Sequence, residues 1–242
     1  MADPQLSPTG RLDQLLATRP DIAVMAPFLA YLLLLGVRDL LPYEWRAAAS
    51  AIRGLGTLVV ILAVRRHLPP WGKPCWLIAV PAGLVVAWGW VYGQHLFNDW
   101  GVPHRIPLPI FPGQPEIIDP RDQLGVRHLY WTTVAARIAV ATTIVPIVEE
   151  FFWRGFLLRA MINWARFEKV PLGTFTWLSF LGTSLLSTLE HPDNWAVSIP
   201  CWFAYNGLMY WKKSILCLII AHGVTNLALY VYVVGYGDWM FW

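Results

Sequence analysis

Ile144-Val145-Pro146-Ile147-Val148-Glu149-Glu150-Phe151-Phe152-Trp153-Arg154-Gly155-Phe156-Leu157-Leu158 sets two adjacent carboxylates and one guanidinium inside a run apolar enough for lipid. Ionisable groups in such a setting are costly and are retained mainly where they line a polar cavity. On a helix Glu150 and Arg154 stand four residues apart with the acid first, the favourable order for an ion pair. Glu149 is turned about 100° away from Glu150 and has no such local partner. One acid is neutralised by its neighbour and the other is left for chemistry. The bland alternative is that a helix end surfaces here and both acids are solvated.

Working outward, further apolar runs of spanning length cover 21–41, 47–64, 75–92, 137–158, 174–190, 195–211 and 214–234. About 20 residues cross a bilayer as a helix, and none of the runs alternates as a strand would. The expected fold is therefore all-α, a polytopic membrane helix bundle with seven transmembrane helices, or eight if 127–136 forms a separate short helix. Composition agrees: 57% of the 242 residues are hydrophobic and 14% are charged, against about 25% charged in a soluble domain. A net charge of +3 gives no reason to expect nucleic acid as a partner. Residues 1–20 read as a polar tail without the pattern of a cleaved signal peptide. Residues 21–242 read as one transmembrane domain with its motif-bearing core at 137–234. The Lys and Arg distribution places the N-terminus in the cytoplasm.

Several other features fit a bundle of this kind. Trp45, Trp71, Trp76, Trp100, Trp195, Trp211, Trp239 and Trp242 fall near expected helix ends, as an interfacial aromatic belt requires. Arg53 and Arg137 read as snorkelling side chains near helix ends. Cys75, Cys201 and Cys217 are scattered in apolar runs, which points to packing rather than to disulfides or metal. The segment 98–120 holds six prolines, Pro103, Pro107, Pro109, Pro112, Pro115 and Pro120, and cannot be a regular helix. It is either a lid or docking edge, or a plain connector.

Two more polar sets interrupt apolar runs. His191 follows Leu185-Leu186-Ser187-Thr188-Leu189-Glu190 and precedes Pro192, which marks a helix end. His222 and Asn226 lie four apart in Ala221-His222-Gly223-Val224-Thr225-Asn226 and share a helix face. Read blandly, His191 is interfacial and the His222–Asn226 pair is packing glue between helices.

Taken in order, Glu-Glu-x-x-x-Arg, a histidine closing an apolar helix and His-x-x-x-Asn resemble the three motifs of the CAAX prenyl endopeptidase and bacteriocin-processing family, the intramembrane glutamate proteases. The resemblance covers about 137–226, and residues 1–126 carry no matching motif. Ser187 departs from it, standing where the second motif usually has Phe. Size and Trp content further resemble the bacterial subgroup found beside exosortase protein-sorting systems. The resemblance implies an integral protein of the bacterial inner (plasma) membrane, in contact with membrane lipid. It would hydrolyse a peptide bond near the terminus of a membrane-anchored or lipidated protein or peptide. Glu149 would be the general base that activates water, His191 would polarise that water, and His222 with Asn226 would stabilise the oxyanion. Glu150 and Arg154 would be a structural pair. No cofactor is implied; a zinc-dependent variant using Glu149, His191 and His222 is the alternative, although His-Glu-x-x-His is absent. A non-catalytic immunity or scaffold protein is the alternative class, and a transporter would also place Glu and His in the membrane.

Overall fold

Once lipid replaces water, a chain segment must satisfy its own backbone donors, and an isolated span can do so only as a helix. The computed structural model describes residues 8–113 and 117–242, and every regular element among them is helical. The first seven residues of the polar tail and Pro115 of the Pro-rich segment lie outside the described residues. The remainder of the tail forms α1 (Pro8–Thr18), whose Leu16 is buried against Ala23 and Val64. Then come α2 (Pro20–Asp39), α3 (Arg46–Val64), α4 (Trp76–Asp99) and the short α5 (Pro120–Leu124). Next is α6 (Arg127–Glu150), which passes directly into a π-helical segment, Phe151–Leu157, and ends in α7 (Leu158–Ala160). Finally α8 (Trp177–Glu190), α9 (Trp195–Lys212) and α10 (Ile215–Tyr236) complete the bundle.

Five of these helices, α2, α3, α4, α6 with its extension to Ala160, and α10, are long and apolar enough to cross a membrane. The segment 127–136 is not a separate eighth helix: it is the first part of α6, because nothing in Arg127–Glu150 breaks the helix before Glu150. Helices α8 and α9 occupy the two other expected spans, but α8 has only 14 residues. At 1.5 Å per residue it rises about 21 Å, short of the roughly 30 Å of a hydrocarbon core. Its C-terminal end, with Glu190 and His191, therefore stops part-way across the bundle.

Packing is densest where α10 runs between α4 and α6. Two glycines permit this. A Cβ at Gly83 would sit on the Ala221 carbonyl oxygen, and a Cβ at Gly223 would lie 2.7 Å from the Thr142 carbonyl oxygen. Pro146 has no N–H to donate to that Thr142 carbonyl, four residues earlier. Regular α geometry nonetheless continues through Pro146, and the irregularity falls instead at Phe151–Leu157. The outer faces are apolar: Leu33, Leu55, Val59 and Leu77 are all more than 60% exposed, as the exterior of a membrane-spanning bundle requires.

Candidate active site

Helix α6 delivers Glu149 and Glu150 at its last turn, both buried. The pair expected from sequence is present: Arg154 Nη1 donates to both Glu150 oxygens, at 3.2 and 3.1 Å. Glu150 is fully buried and Arg154 is 1% exposed. Arg154 is fixed further by its Nε donating to Asn206 Oδ1 at 3.2 Å, and by the Trp202 and Tyr205 rings beneath its guanidinium. Glu150 does more than pair with arginine. Its Oε1 lies 3.0 Å from His222 Nδ1, so one carboxylate joins α6 to α10 and fixes the imidazole. That orientation turns His222 Nε2 toward Glu149, whose Oε2 is 3.7 Å away. Glu149 Oε2 is itself buried with no hydrogen-bond partner.

His191 caps the C-terminal end of α8, with its ring wedged between Trp90 and Trp202 at centroid distances of 5.2 and 5.3 Å. One atom each from Glu149, Glu190 and His191 lies within 4.8 Å of the others. Asn226 Nδ2 donates to the Ala141 carbonyl at 2.7 Å, tying α10 to α6 one turn from His222. All four residues expected to carry chemistry, Glu149, His191, His222 and Asn226, line one cavity of about 440 Å³. Ser187, where Phe was expected, does not face it: Ser187 is buried with its hydroxyl 3.1 Å from Ser198 Oγ, packing α8 on α9.

Glu190 joins the site although no sequence motif marks it, and two arginines lie elsewhere than at helix ends. Glu190 accepts a 2.6 Å hydrogen bond from Trp153 Nε1 and stands beside Glu149. The signal for it in the sequence is an acid inside the apolar run directly before His191. Arg53 and Arg137 do not snorkel. Arg53 is 5% exposed, lies within α3 and packs over the Tyr31 ring at 4.7 Å. Arg137 donates from Nε to Tyr230 Oη at 3.0 Å and lies 4.5 Å over the Trp242 ring. Both line the same cavity as Glu149. The reason is position: Arg53 and Arg137 fall well inside α3 and α6, where the near polar surface is the bundle interior.

The Pro-rich segment is pinned to the turn that follows His191. Ile106 N donates to the Pro192 carbonyl at 2.8 Å, Arg105 pairs with Asp193, and Trp195 Nε1 donates to the Pro103 carbonyl at 3.0 Å. The backbone that carries His191 is thus held from outside the bundle as well as from within.

Residues 131–228 match the family model described as Rce1-like, type II CAAX prenyl endopeptidase. No curated protein and no solved structure matches the chain. The matched region holds Arg137, Glu149, Glu150, Arg154, Glu190, His191, His222 and Asn226.

Proposed function

We propose that this protein is an intramembrane endopeptidase that hydrolyses a peptide bond near a membrane-associated terminus. The observation that carries the reading is the buried, unpartnered Glu149 Oε2 facing His222 Nε2 across 3.7 Å in a cavity that also receives His191 and Asn226. The cavity of about 440 Å³ that Glu149 lines has room for a water against its carboxylate. Glu149 takes the proton of that water as its oxygen attacks the peptide carbonyl, and later returns a proton to the departing amine. His191, steadied by two tryptophans, polarises the water.

The oxyanion needs donors. Asn226 spends one N–H on Ala141 and has a second. His222 is held with Nδ1 3.0 Å from Glu150 Oε1, which leaves Nε2 facing Glu149 and the cavity. Arg154 holds Glu150 in place, so the structural pair supports the oxyanion site through His222. The protein would act in the bacterial inner membrane with a cytoplasmic N-terminus, on an anchored or lipidated protein, and the exosortase-associated subgroup is part of this proposal.

The test is Glu149→Gln in reconstituted vesicles with an N-terminally palmitoylated peptide library. Loss of a general base lowers turnover about 10²–10⁴-fold. Undiminished cleavage, or full complementation of a deletion strain, sinks the reading in favour of a scaffold or immunity role. A second reading has one specific observation behind it: Glu149, Glu190 and His191 form a carboxylate–carboxylate–imidazole set of a kind that zinc accepts. Under it 1,10-phenanthroline abolishes cleavage; under the glutamate mechanism the rate is unchanged.

A further inference from the structure

Helix α6 presents Arg137, Ala141, Val145 and Glu149 to the cavity at four-residue intervals, a single face of one helix. Twelve residues separate its cationic end from its acidic end, about 18 Å of helix rise. Helix α10 runs alongside with the same order: His222 toward Glu149, Asn226 on the Ala141 carbonyl and Tyr230 toward Arg137. Helices α2 and α3 add Tyr31 and Arg53 to the lining, with the Arg53 guanidinium 4.7 Å over the Tyr31 ring. The cavity is therefore a trough along α6 with Glu149 and His222 at one end and Arg137 with Tyr230 at the other, Arg53 and Tyr31 entering it from the side and Ala141 and Val145 lining the stretch between.

We infer that Arg53 and Arg137 form a specificity subsite that receives a carboxylate of the substrate. The inference rests on the protease reading. Guanidinium presents N–H donors in a fork that matches a carboxylate, and in a water-poor cavity such contacts are stronger than at a surface. An extended peptide advances about 3.3 Å per residue, so 18 Å of trough places that carboxylate within about five residues of the scissile bond. Ala141 and Val145 offer small apolar contacts for the residues between. The chemistry is shared by two sources, the α-carboxylate of a free C-terminus and the side chain of Asp or Glu.

The experiment uses the full-length protein in vesicles and palmitoylated decapeptide libraries in four forms. Free-acid and C-terminally amidated libraries are each made with and without Asp and Glu, and products are read by mass spectrometry. One charge-assisted contact is worth roughly tenfold or more in rate. The expected result is that peptides bearing a carboxylate are cut at least about tenfold faster than the amidated library lacking Asp and Glu. A preference that follows the free acid identifies the C-terminus; one that persists in the amidated library with Asp and Glu identifies the side chain. Arg53→Gln and Arg137→Gln should each shrink that ratio toward one, with Arg53→Lys and Arg137→Lys intermediate. A purely structural role for the arginines would change overall rate and leave the ratio intact. Equal cleavage of all four libraries by the wild type overturns the subsite and leaves the protease reading standing. No cleavage of any library by the wild type, under conditions where it remains folded, overturns both.

Discussion

Glu150 is the residue on which most of the site leans, because its carboxylate meets a guanidinium on its own helix and an imidazole on another. Replacing it with Gln keeps the volume but strands Arg154, which is 1% exposed, beside a neutral amide. Breaking a buried pair from one side costs about 3–5 kcal/mol. Glu150→Gln is therefore expected to lower the thermal unfolding midpoint in detergent by several degrees and to depress cleavage as well. Glu149→Gln, by contrast, keeps the volume and leaves an amide that can still donate to the neighbouring Glu190, and should leave the midpoint near wild type while turnover falls. The opposite contrast would mean that the two acids have been given each other's roles. The i,i+4 relation of Glu150 and Arg154 was legible from spacing alone. The second contact, from Glu150 to His222, was not, since it joins residues 72 positions apart.

At the level of elements, α4 contains a paired test. Gly83 lies on the α10 contact, where a side chain would collide with the Ala221 carbonyl, whereas nothing comes within 4 Å of a Cβ at Gly89. Gly83→Val should destabilise by about 1–3 kcal/mol through overpacking. Gly89→Ala should be neutral or stabilise by up to about 1 kcal/mol through helix propensity. Chemical unfolding of the two variants side by side, followed by circular dichroism, decides between them. Helix positions themselves were readable because 20-residue apolar runs admit few other structures. What the sequence concealed was α8: a 14-residue helix looks like a short span, and its packing against α9, α7 and the Phe151–Leu157 segment brings His191 to Glu149. Arg53 and Arg137 were misread for a related reason. Hydropathy reports how far a residue is from the end of a run, not which way its side chain turns.

For the whole molecule, the apolar exterior is a statement about solvent. Leu55 is 64% exposed within α3, on the face opposite buried Arg53 and Thr57. Leu55→Asp places a charge against lipid tails at a cost of about 2.5–3.5 kcal/mol on insertion scales. The expected outcome is a reduced amount of protein in the membrane fraction, measured by quantitative immunoblot. Thr57→Ala, a buried change two residues on, should leave that amount intact. Two neighbouring residues of one helix thus respond to different surroundings.

The π-helical segment after Glu150 gives this architecture an unusual sensitivity to chain length. A wide turn holds one residue more than an α turn would need. It lets Trp153 reach Glu190 on α8 while Arg154 still reaches Asn206 on α9. Excising a single amino acid from Phe151–Leu157 would remove that extra residue and let the backbone relax to ordinary winding, which changes the angular spacing of Trp153 and Arg154 inside the turn while the helix beyond keeps its line. Both tethers would then aim at the wrong neighbours, so this short segment tolerates a swap of side chains far better than the loss of one codon.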